Sequence, residues 1–466
     1  MSHARRAALA PAIGAMTNTL YLPELREMLA EHNSAELHEF CIALHPAQTV
    51  EFMEGLTAAE AWQVLEHADA KTRAEIFHYF DPERQVEIIE SQDRAAIGRL
   101  VTDLNPDDRV DILNRVQPEI VRELLPLVPA EERRDIHRLS AYPEGTAGAV
   151  MTTSFARLSE SLTVTQAIEA VRKQAESSET VYYLYVVDDD DHLRGLVSLR
   201  QLVLARPDTV IRDLMERAVV AVEVDDDQEE VARTLSRYDF QAIPVVDHQR
   251  HLLGIITYDD IIDVVREEAT EDAQRIGGVT PLRGGYLETH LMTITWKRGL
   301  WLTILFFGSM LTARALGSYG QEIQVNAWLV FFIPLVISTG GNSGSQSATL
   351  IITAMSSGDV SLSDWARVVR RELMTGLLLG GFLGMIGYVA ATVVAPNWMA
   401  ASIIPLTVLL VVTCGTLLGS ILPMIFRHLG LDPAMMSNPF VAGIIDLVGI
   451  LVYMETAEMM LHALDG

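Results

Sequence analysis

The pattern of hydrophobic and polar positions divides the chain into three regions. Before about residue 138, apolar residues recur at helical spacing in short segments, and from about 139 to 268 strand-like and helix-like segments alternate. Beyond residue 291, five apolar segments each supply roughly 20 residues, enough to cross a hydrocarbon core of about 30 Å. They are 298–317, 325–355, 372–395, 402–426 and 434–462. The pattern predicts a helical N-terminal region (1–138), an α+β region (139–268) and a transmembrane domain of five helices (291–466).

A repeat marks the first region. The segments DPERQVEII from Asp81, NPDDRVDIL from Asn105 and VPAEERRDI from Val128 are spaced by 24 and 23 residues. Each starts with a capping or breaking residue, and acidic residues follow in the first helical turn, where the helix dipole favours them. Short helices at a fixed period predict a stacked, all-α array. Capping alone explains the acidic turns; collection of divalent cations is the alternative.

The second region is an internal duplication. Both halves have the order βαββα, and each has a strand that ends in Val-Val-Asp, a polar turn and a Gly-containing strand. The motif PVVD followed by GIITYDD resembles a pair of CBS domains. That resemblance implies a regulatory module for ions or adenine nucleotides such as ATP. Asp260 matches the usual nucleotide-contacting position, whereas Gln201 stands at this position in the first half.

Carboxylates accumulate at the end of this region. Asp260, Asp263, Glu267 and Glu271 are spaced i, i+3, i+7 and i+11, which puts them on one face of a helix. Like charges at such spacing destabilise a helix by a few tenths of a kcal/mol per pair. Bound cations would remove that cost. For the run Asp225–Asp227, solvation is an equally simple explanation.

Charge and cysteine content narrow the class of protein. The formal net charge is −27, and −25 of it lies before residue 297. Such an acidic half argues against nucleic acid, whose phosphates it would repel. The two cysteines, Cys41 and Cys414, imply neither a disulfide framework nor a zinc set. No segment before residue 297 is apolar enough to be a signal peptide or a spanning helix.

Basic residues predict the orientation in the membrane. Lys297 and Arg298 precede the first apolar segment, Arg367, Arg370 and Arg371 lie between the second and third, and Arg427 lies between the fourth and fifth. By the positive-inside rule these ends are cytoplasmic. We expect a multi-pass protein of the cell (inner) membrane, with its N-terminal domains in the cytoplasm and its C-terminus outside.

Polar residues inside the apolar segments predict an ion path. The second segment contains GGNSGSQSATL (340–350), and Asn342 and Gln346 offer neutral oxygens. Asp446 is the one ionisable residue that the sequence places well inside a segment, which makes it a functional-site candidate. Asp432 lies 14 residues earlier and falls near the same face if the helix is regular, although Asn438-Pro439 interrupts it.

This set of ligands suits Mg²⁺, which is held by one or two carboxylates and keeps its waters. Soft metals would require Cys or His, and potassium a ring of carbonyls. The same oxygens would tolerate Co²⁺ or Mn²⁺. The alternative from another class of protein is a membrane-anchored Mg²⁺ sensor, in which the acidic half signals and the spans serve only as an anchor. An enzyme is least favoured, because Asp446 has no catalytic partner at motif spacing.

Taken together, GGNSGSQSATL, DPAMMSNPFVAGIIDLVG (432–449), the CBS pair and EEATED (267–272) resemble the MgtE family of magnesium channels. The resemblance implies a homodimer in a lipid bilayer, whose pore is formed by the second and fifth segments of both chains. It also implies passive Mg²⁺ uptake, closure by cytosolic Mg²⁺ and a connecting plug helix at 266–290.

The candidate residues fall into two sets. The pore set is Asp446, Asn342, Gln346, Asn438 and Asp432. The regulatory Mg²⁺ set is Glu75, Asp107, Asp111, Asp226, Asp247, Asp263, Glu267, Glu268, Glu271 and Asp272, of which the first three match the family most loosely.

Overall fold

The computed structural model describes residues 21–175, 177–282, 285–287 and 289–465. The chain divides after Val265 into two compact units. The first unit contains the helical array and the two CBS-like halves, and the second contains the end of the connecting helix and the apolar helices.

From residue 21 on, where the structure describes the array, it consists of ten short α-helices. They are α1 (Leu22–Ala30), α2 (Ser34–Ala43), α3 (Pro46–Met53), α4 (Ala58–Leu65), α5 (Ala70–His78), α6 (Pro82–Ser91), α7 (Arg94–Asp103), α8 (Pro106–Arg115), α9 (Pro118–Leu124) and α10 (Ala130–Leu139). Prolines begin four of them, where the missing N–H costs no hydrogen bond. From α3 to α8, each helix packs against the next but one, around a core that includes Trp62, Phe77 and Ile97. The predicted helical array is confirmed.

A recurring side-chain contact joins consecutive helices of the array. Four side chains lie near the start of one helix and donate to carbonyls at or just after the end of the preceding helix. They are Arg73, Gln85, Arg94 and Arg109. Arg109, for example, donates to the carbonyls of Val101 and Leu104, both at 2.7 Å. The last carbonyls of a helix have no partner within it, so these side chains satisfy them and fix the next helix in place.

Each CBS-like half contains a three-stranded sheet, as predicted. The first half contains α11 (Ala147–Val150), β1 (Phe155–Ser159), α12 (Val164–Gln174), β2 (Thr180–Val187), β3 (Leu193–Ser198), α13 (Leu199–Leu204) and α14 (Ile211–Leu214). The second contains β4 (Val222–Glu223), α15 (Gln228–Tyr238), β5 (Ala242–Val246), β6 (Leu252–Thr257) and α16 (Tyr258–Ile276). In both sheets the first strand is parallel to the second and the third is antiparallel to it.

The connecting helix α16 is shorter than the resemblance implied. It ends at Ile276, and the described residues from 277 to 290 are not helical, so the predicted helix over 266–290 is wrong in its second half. Gly278 adopts φ +75°, its N–H bonds to Arg275 O, and Val279 N–H bonds to Gln274 O. This is a Schellman cap, which ends a helix at a glycine that tolerates the left-handed conformation.

The second unit contains the five apolar helices that the sequence predicts. Five candidate membrane spans cover Leu291–Ser318, Ala327–Ser356, Leu362–Val394, Trp398–His428 and Asn438–Ala463. Their helices are α17 (Leu291–Ser318), α18 (Gly320–Val325), α19 (Ile333–Ser356), α20 (Trp365–Val394), α21 (Trp398–Ala401), α22 (Ile403–His428) and α23 (Asn438–Asp465). A 3₁₀ turn at Ala327–Phe332 begins the second span, and another at Pro433–Met435 precedes the fifth.

Glycines bring α19 and α22 into close contact. A Cβ on Gly419 would lie 2.2 Å from the carbonyl oxygen of Gly344, and a Cβ on Gly415 would lie 2.8 Å from that of Gly340. Both distances are too short for a real side chain. The polar motif of the second span therefore has a structural function as well, because its glycines allow backbone-to-backbone packing inside the apolar region.

Candidate cation sites

Asp446 lies against the glycines of α19. It is half-buried on α23, and its Oδ1 would be 3.3 Å from a Cβ built on Gly341. A side chain at position 341 would therefore press on the carboxylate. The structure brings together the two motifs that the sequence singled out, one on α19 and one on α23.

The two amides predicted for the ion path are exposed on one face of α19. Asn342 and Gln346 are one turn apart, and Asn342 Nδ2 donates to Ser338 Oγ at 3.3 Å. Both lie within the second candidate membrane span, where a lipid-facing amide is unfavourable. In a bilayer this face requires water or another protein surface.

Asn438 fastens the start of α23 to α19. Its side-chain oxygen accepts from Thr349 Oγ1 at 3.1 Å, and its carbonyl accepts from Ser345 Oγ at 3.2 Å. These bonds hold the two polar motifs in register. The side-chain oxygen of Asn438 therefore already accepts one hydrogen bond within the protein.

Asp432 does not lie on the same helix as Asp446. Helix α23 begins at Asn438, so the argument from a regular helix over 14 residues is wrong. Asp432 Oδ1 instead accepts from Ala434 N at 2.8 Å, and Oδ2 is 2.6 Å from the guanidinium of Arg275. Its carboxylate binds the end of the connecting helix.

The end of α16 and the turn that follows it contact the transmembrane domain at three further points. Ile276 packs into the cluster that contains Ile352 and Met436. Asp272 accepts from Ser356 Oγ at 3.1 Å, and a Cβ on Gly278 would lie 3.3 Å from Pro439 Cγ.

These contacts also affect the charges of the predicted regulatory residues on α16. Burial raises the pKa of Asp272 above its usual range. Arg275 is also 2.6 Å from Glu271, so a basic residue of α16 itself partly neutralises the acidic face of that helix. Glu267 is exposed and Glu268 is half-buried on the same helix.

A second candidate site lies in the first unit. Asp107 of α8, Glu179 before β2 and Asp260 of α16 each offer a carboxylate oxygen, and these oxygens lie within 4.8 Å of one another. Among the described residues, Asp107 Oδ1 and Glu179 Oε2 are buried and have no hydrogen-bond partner. We call these three residues the carboxylate triad. Three carboxylates at this separation repel one another unless they bind protons or a cation.

The electrostatics of the carboxylate triad follow from its burial. Removal from water raises the pKa of Glu179 to about 8 and that of Asp260 to about 7, and it raises the pKa of Asp107 well above its usual range. The neighbouring carboxylates add to each shift. Next to the triad, a hydrogen bond with Asp108, at 3.0 Å, raises the pKa of His78.

The carboxylate triad opens into a cleft of about 1430 Å³ between the helical array and the CBS-like halves. Asp259, Asp263 and Glu75 also line it, and Glu75 is 4.0 Å from Lys71. Sequence analysis found Asp107 and Asp263 and assigned Asp260 to a nucleotide. It missed Glu179, because one glutamate in front of a strand gives no signal by itself.

The other predicted regulatory residues lie outside the cleft. Asp111 is exposed on α8, and Asp226 Oδ2 accepts from Glu223 N at 2.7 Å. Asp247 accepts from the backbone of Gln249 and His251 and from His251 Nδ1 at 2.8 Å. Asp188 makes the same set of bonds in the first half, so this carboxylate stabilises the turn between two strands.

Asp260 and Gln201, which stand at equivalent positions of the internal duplication, have the same local function. Asp260 accepts from Thr257 Oγ1, and Gln201 forms a capping box with Ser198. Both side chains thus cap the first turn of the helix that follows the third strand of their half. The nucleotide contact of Asp260 stays a prediction, and its neighbours Asp107 and Glu179 favour a cation.

One membrane carboxylate was missed. Glu372 lies inside α20 and is only 9% exposed, and its Oε2 accepts from Ser347 Oγ at 2.6 Å. In the sequence it follows Arg370 and Arg371 at the edge of an apolar segment, which is typical of an interfacial residue.

The fold and these sites define a multi-pass membrane protein whose polar intramembrane helices are joined to a cytosolic module rich in carboxylates. A family model described as a divalent cation transporter matches residues 333–456. A model of the MgtE intracellular N domain matches 44–145, and the CBS domain model matches 147–208 and 211–267.

The chain is 35% identical over 442 residues to the magnesium transporter MgtE of Thermus thermophilus, which covers 94% of this chain and 98% of that protein. It is 37% identical over 333 residues to the Enterococcus faecalis MgtE, or 72% and 73% of the two chains. A crystal structure of the soluble part of a magnesium transporter matches with TM-score 0.51 and 36% identity, over 53% of this chain and 97% of that one. The chain belongs to the MgtE family of divalent cation transporters.

Proposed function

We propose that the protein is a Mg²⁺ channel that admits the ion passively and closes when cytosolic Mg²⁺ binds its acidic domains. The observation that carries the proposal is the position of Asp446, half-buried within a membrane span and in contact with the glycine motif of α19. A carboxylate at this depth is costly unless it serves an ion path. A relative that the chain matches over nearly its full length is named a magnesium transporter, which supports the choice of ion.

The path requires a second copy of the chain. Asn342 and Gln346 are exposed on a helix that crosses the membrane, and lipid would leave their amides without partners. Two α19 helices facing each other across a two-fold axis would enclose these amides in a wet pore, together with Asp446 of each copy. A homodimer is therefore part of the proposal, as are a cytoplasmic N-terminus and an external C-terminus, which follow from the basic residues.

The donors favour a hydrated hard cation. The described residues at the path offer carboxylate, amide and hydroxyl oxygens, which can bond the waters that Mg²⁺ keeps. Co²⁺ and Mn²⁺ accept the same ligands, so competition fluxes decide between them and Mg²⁺. No GxxxxGK[ST] motif is present, which favours downhill flow.

Closure would come from the carboxylate triad and the acidic face of α16. Without Mg²⁺, Asp107, Glu179 and Asp260 must hold protons or repel one another; a bound cation displaces the protons, removes the repulsion and stabilises their packed arrangement. Because Arg275 and Asp272 contact the pore helices, a change in α16 reaches the membrane directly. The ion shifts a population by binding one arrangement better.

The test is Mg²⁺ uptake by proteoliposomes that contain the full chain. Asp446→Asn should reduce uptake by about a hundredfold, since it removes the only charge that the pore set places deep in the span. Asp359→Asn, in the exposed connection between the second and third spans, is the matched control and should transport like the wild type. Normal uptake by Asp446→Asn would leave the membrane-anchored sensor as the better account.

A further inference from the structure

Glu372 is a buried carboxylate that the proposed ion path does not use. It lies seven residues into α20, about 10 Å from the start of that helix. It is 9% exposed, and among the described residues no Lys, Arg or His lies within ion-pairing distance of it. A carboxylate in such surroundings is costly and should have a function.

Its partner belongs to the polar motif of the second span. Ser347 is 4% exposed and donates to Glu372 Oε2 at 2.6 Å, a short bond of the kind made to a charged acceptor. The backbone carbonyl of Glu372 also accepts from Thr416 Oγ1 of α22 at 3.1 Å. Residue 372 therefore joins α19, α20 and α22 at one point.

The location of Ser347 on its helix gives the contact a consequence. The exposed pair Asn342 and Gln346 is offset by about 100° around α19 from the buried pair Ser343 and Ser347. A hydrogen bond to Ser347 consequently resists rotation of α19 about its axis. A rotation of about 20° would move side-chain atoms 5–6 Å from the axis by roughly 2 Å, enough to take an amide out of its place.

The glycine contacts supply a different restraint. Gly340 and Gly344 fix how closely α19 approaches α22 and exclude large rotations, but they have no side chain that forms a hydrogen bond at one rotation angle. The bond to Asn438 through Thr349 lies on the side of α23. Ser347 supplies a fixed point on the side of α20.

We infer that Glu372 is a positioning residue for the ion path: through Ser347 it sets the rotation of α19, and so directs Asn342 and Gln346 at the passing hydrated cation. This inference rests on the proposed function. It assigns the specificity of the path partly to a residue that does not face it.

The experiment compares unitary Mg²⁺ conductance and the Mg²⁺ to Na⁺ permeability ratio for the full chain in planar bilayers. Ser347→Ala removes one oxygen and should lower both by about tenfold, as expected for loss of a hydrogen bond to a charged group. Glu372→Gln keeps an acceptor of the same shape and should retain most of both. The double variant Ser347→Ala/Glu372→Ala should be no worse than Glu372→Ala alone, because both remove the same contact.

Ser420→Ala is the matched control. Ser420 is fully buried in α22, and its hydroxyl donates to Leu417 O within its own helix. It should leave conductance and permeability unchanged. Ser347→Ala with wild-type conductance and selectivity, or effects that add in the double variant, would overturn the inference. Asp446→Asn in the same bilayers separates the two proposals: if it still conducts normally, the ion path itself is wrong.

Discussion

The protein contains two carboxylate sites that differ in how much charge they concentrate. Asp446 is a single carboxylate beside Gly341 of α19, the helix that also presents two neutral amides, whereas the carboxylate triad places three carboxylates within 4.8 Å of one another. One charge with flexible neutral donors binds a hydrated cation weakly enough to release it, which conduction requires. Three adjacent carboxylates bind a cation strongly once they lose their protons, and they repel one another if no cation is bound. The first arrangement suits passage and the second suits sensing.

Of the variants that test this difference between the two sites, one that removes a charge from the carboxylate triad should have the largest effect on closure. We expect Asp107→Asn to raise the internal Mg²⁺ concentration needed for closure by about tenfold or more, with no change in unitary conductance. The reason is that Asp107 is 7% exposed and has an unpartnered oxygen. Patch recordings over a range of internal Mg²⁺ measure the midpoint. Glu119→Gln, at an exposed position on the next helix, is the control.

In the absence of Mg²⁺, the same substitution should stabilise the folded protein. Ionised Asp107 is disfavoured in the folded state, because burial raises its pKa. Asp107→Asn should therefore raise the melting temperature at pH 8 in chelator by about 2 °C or more, and reduce the further gain on adding Mg²⁺. Differential scanning fluorimetry of the full chain measures both. A lower melting temperature in chelator would contradict the electrostatic account of the triad.

Protons should compete with Mg²⁺ at the carboxylate triad. The pKa is about 8 for Glu179 and about 7 for Asp260, both above their unfolded values. As the pH falls through this range the two groups gain protons, and a cation must displace these protons in order to bind. Without Mg²⁺ their contribution to stability is greatest at low pH and is lost as pH rises through 7 and 8. We expect the Mg²⁺ midpoint for closure to rise several-fold between pH 8 and pH 6. A midpoint independent of pH in this range would exclude these residues as ligands.

Arg275 should have a smaller effect. Its pairs with Asp432 and Glu271 are about one-third exposed, so each contributes at most about 1 kcal/mol. Arg275→Gln should increase hydrogen exchange in residues 266–276 by a few-fold in chelator. Arg298→Gln serves as the control. Unchanged exchange would show that Asp272, Ile276 and Gly278 hold this end of α16 without Arg275.

Asp247 should have the smallest effect. Its carboxylate stabilises a turn that Asp188 reproduces in the first half, so the structure explains it without a cation. Asn keeps the Oδ1 acceptor, and Asp247→Asn should leave the closure midpoint within about twofold of the wild type. A shift as large as that of Asp107→Asn would return Asp247 to the regulatory set.

Hydrophobic periodicity predicted much of the fold. The five apolar segments, the repeated helices and the two βαββα halves are all local patterns, and local patterns determine helices and strands. The end of α16 was also visible, because Gly277-Gly278 followed by Pro281 is a stop signal. The family resemblance outweighed it, and the predicted helix was too long by more than ten residues.

The sites were harder to predict, because they depend on contacts between distant residues. Asp107 and Asp260 come from two different helices and Glu179 from the residue before a strand, and only the packing of the array against the CBS-like halves brings them together. Glu372 has an exposed arginine on each of the two positions before it, and its burial follows from the contact of α20 with α19 and α22. Asp446 was accessible to sequence analysis, since an aspartate inside an apolar run is rare.

The most direct test of the account records single channels of Asp446→Asn and Asp107→Asn side by side while internal Mg²⁺ is varied. The account predicts that Asp446→Asn loses unitary Mg²⁺ current at every internal concentration. It also predicts that Asp107→Asn retains the wild-type unitary current and closes only at higher Mg²⁺. Wild-type current through Asp446→Asn, or a reduced unitary current in Asp107→Asn, would contradict the separation of passage from sensing.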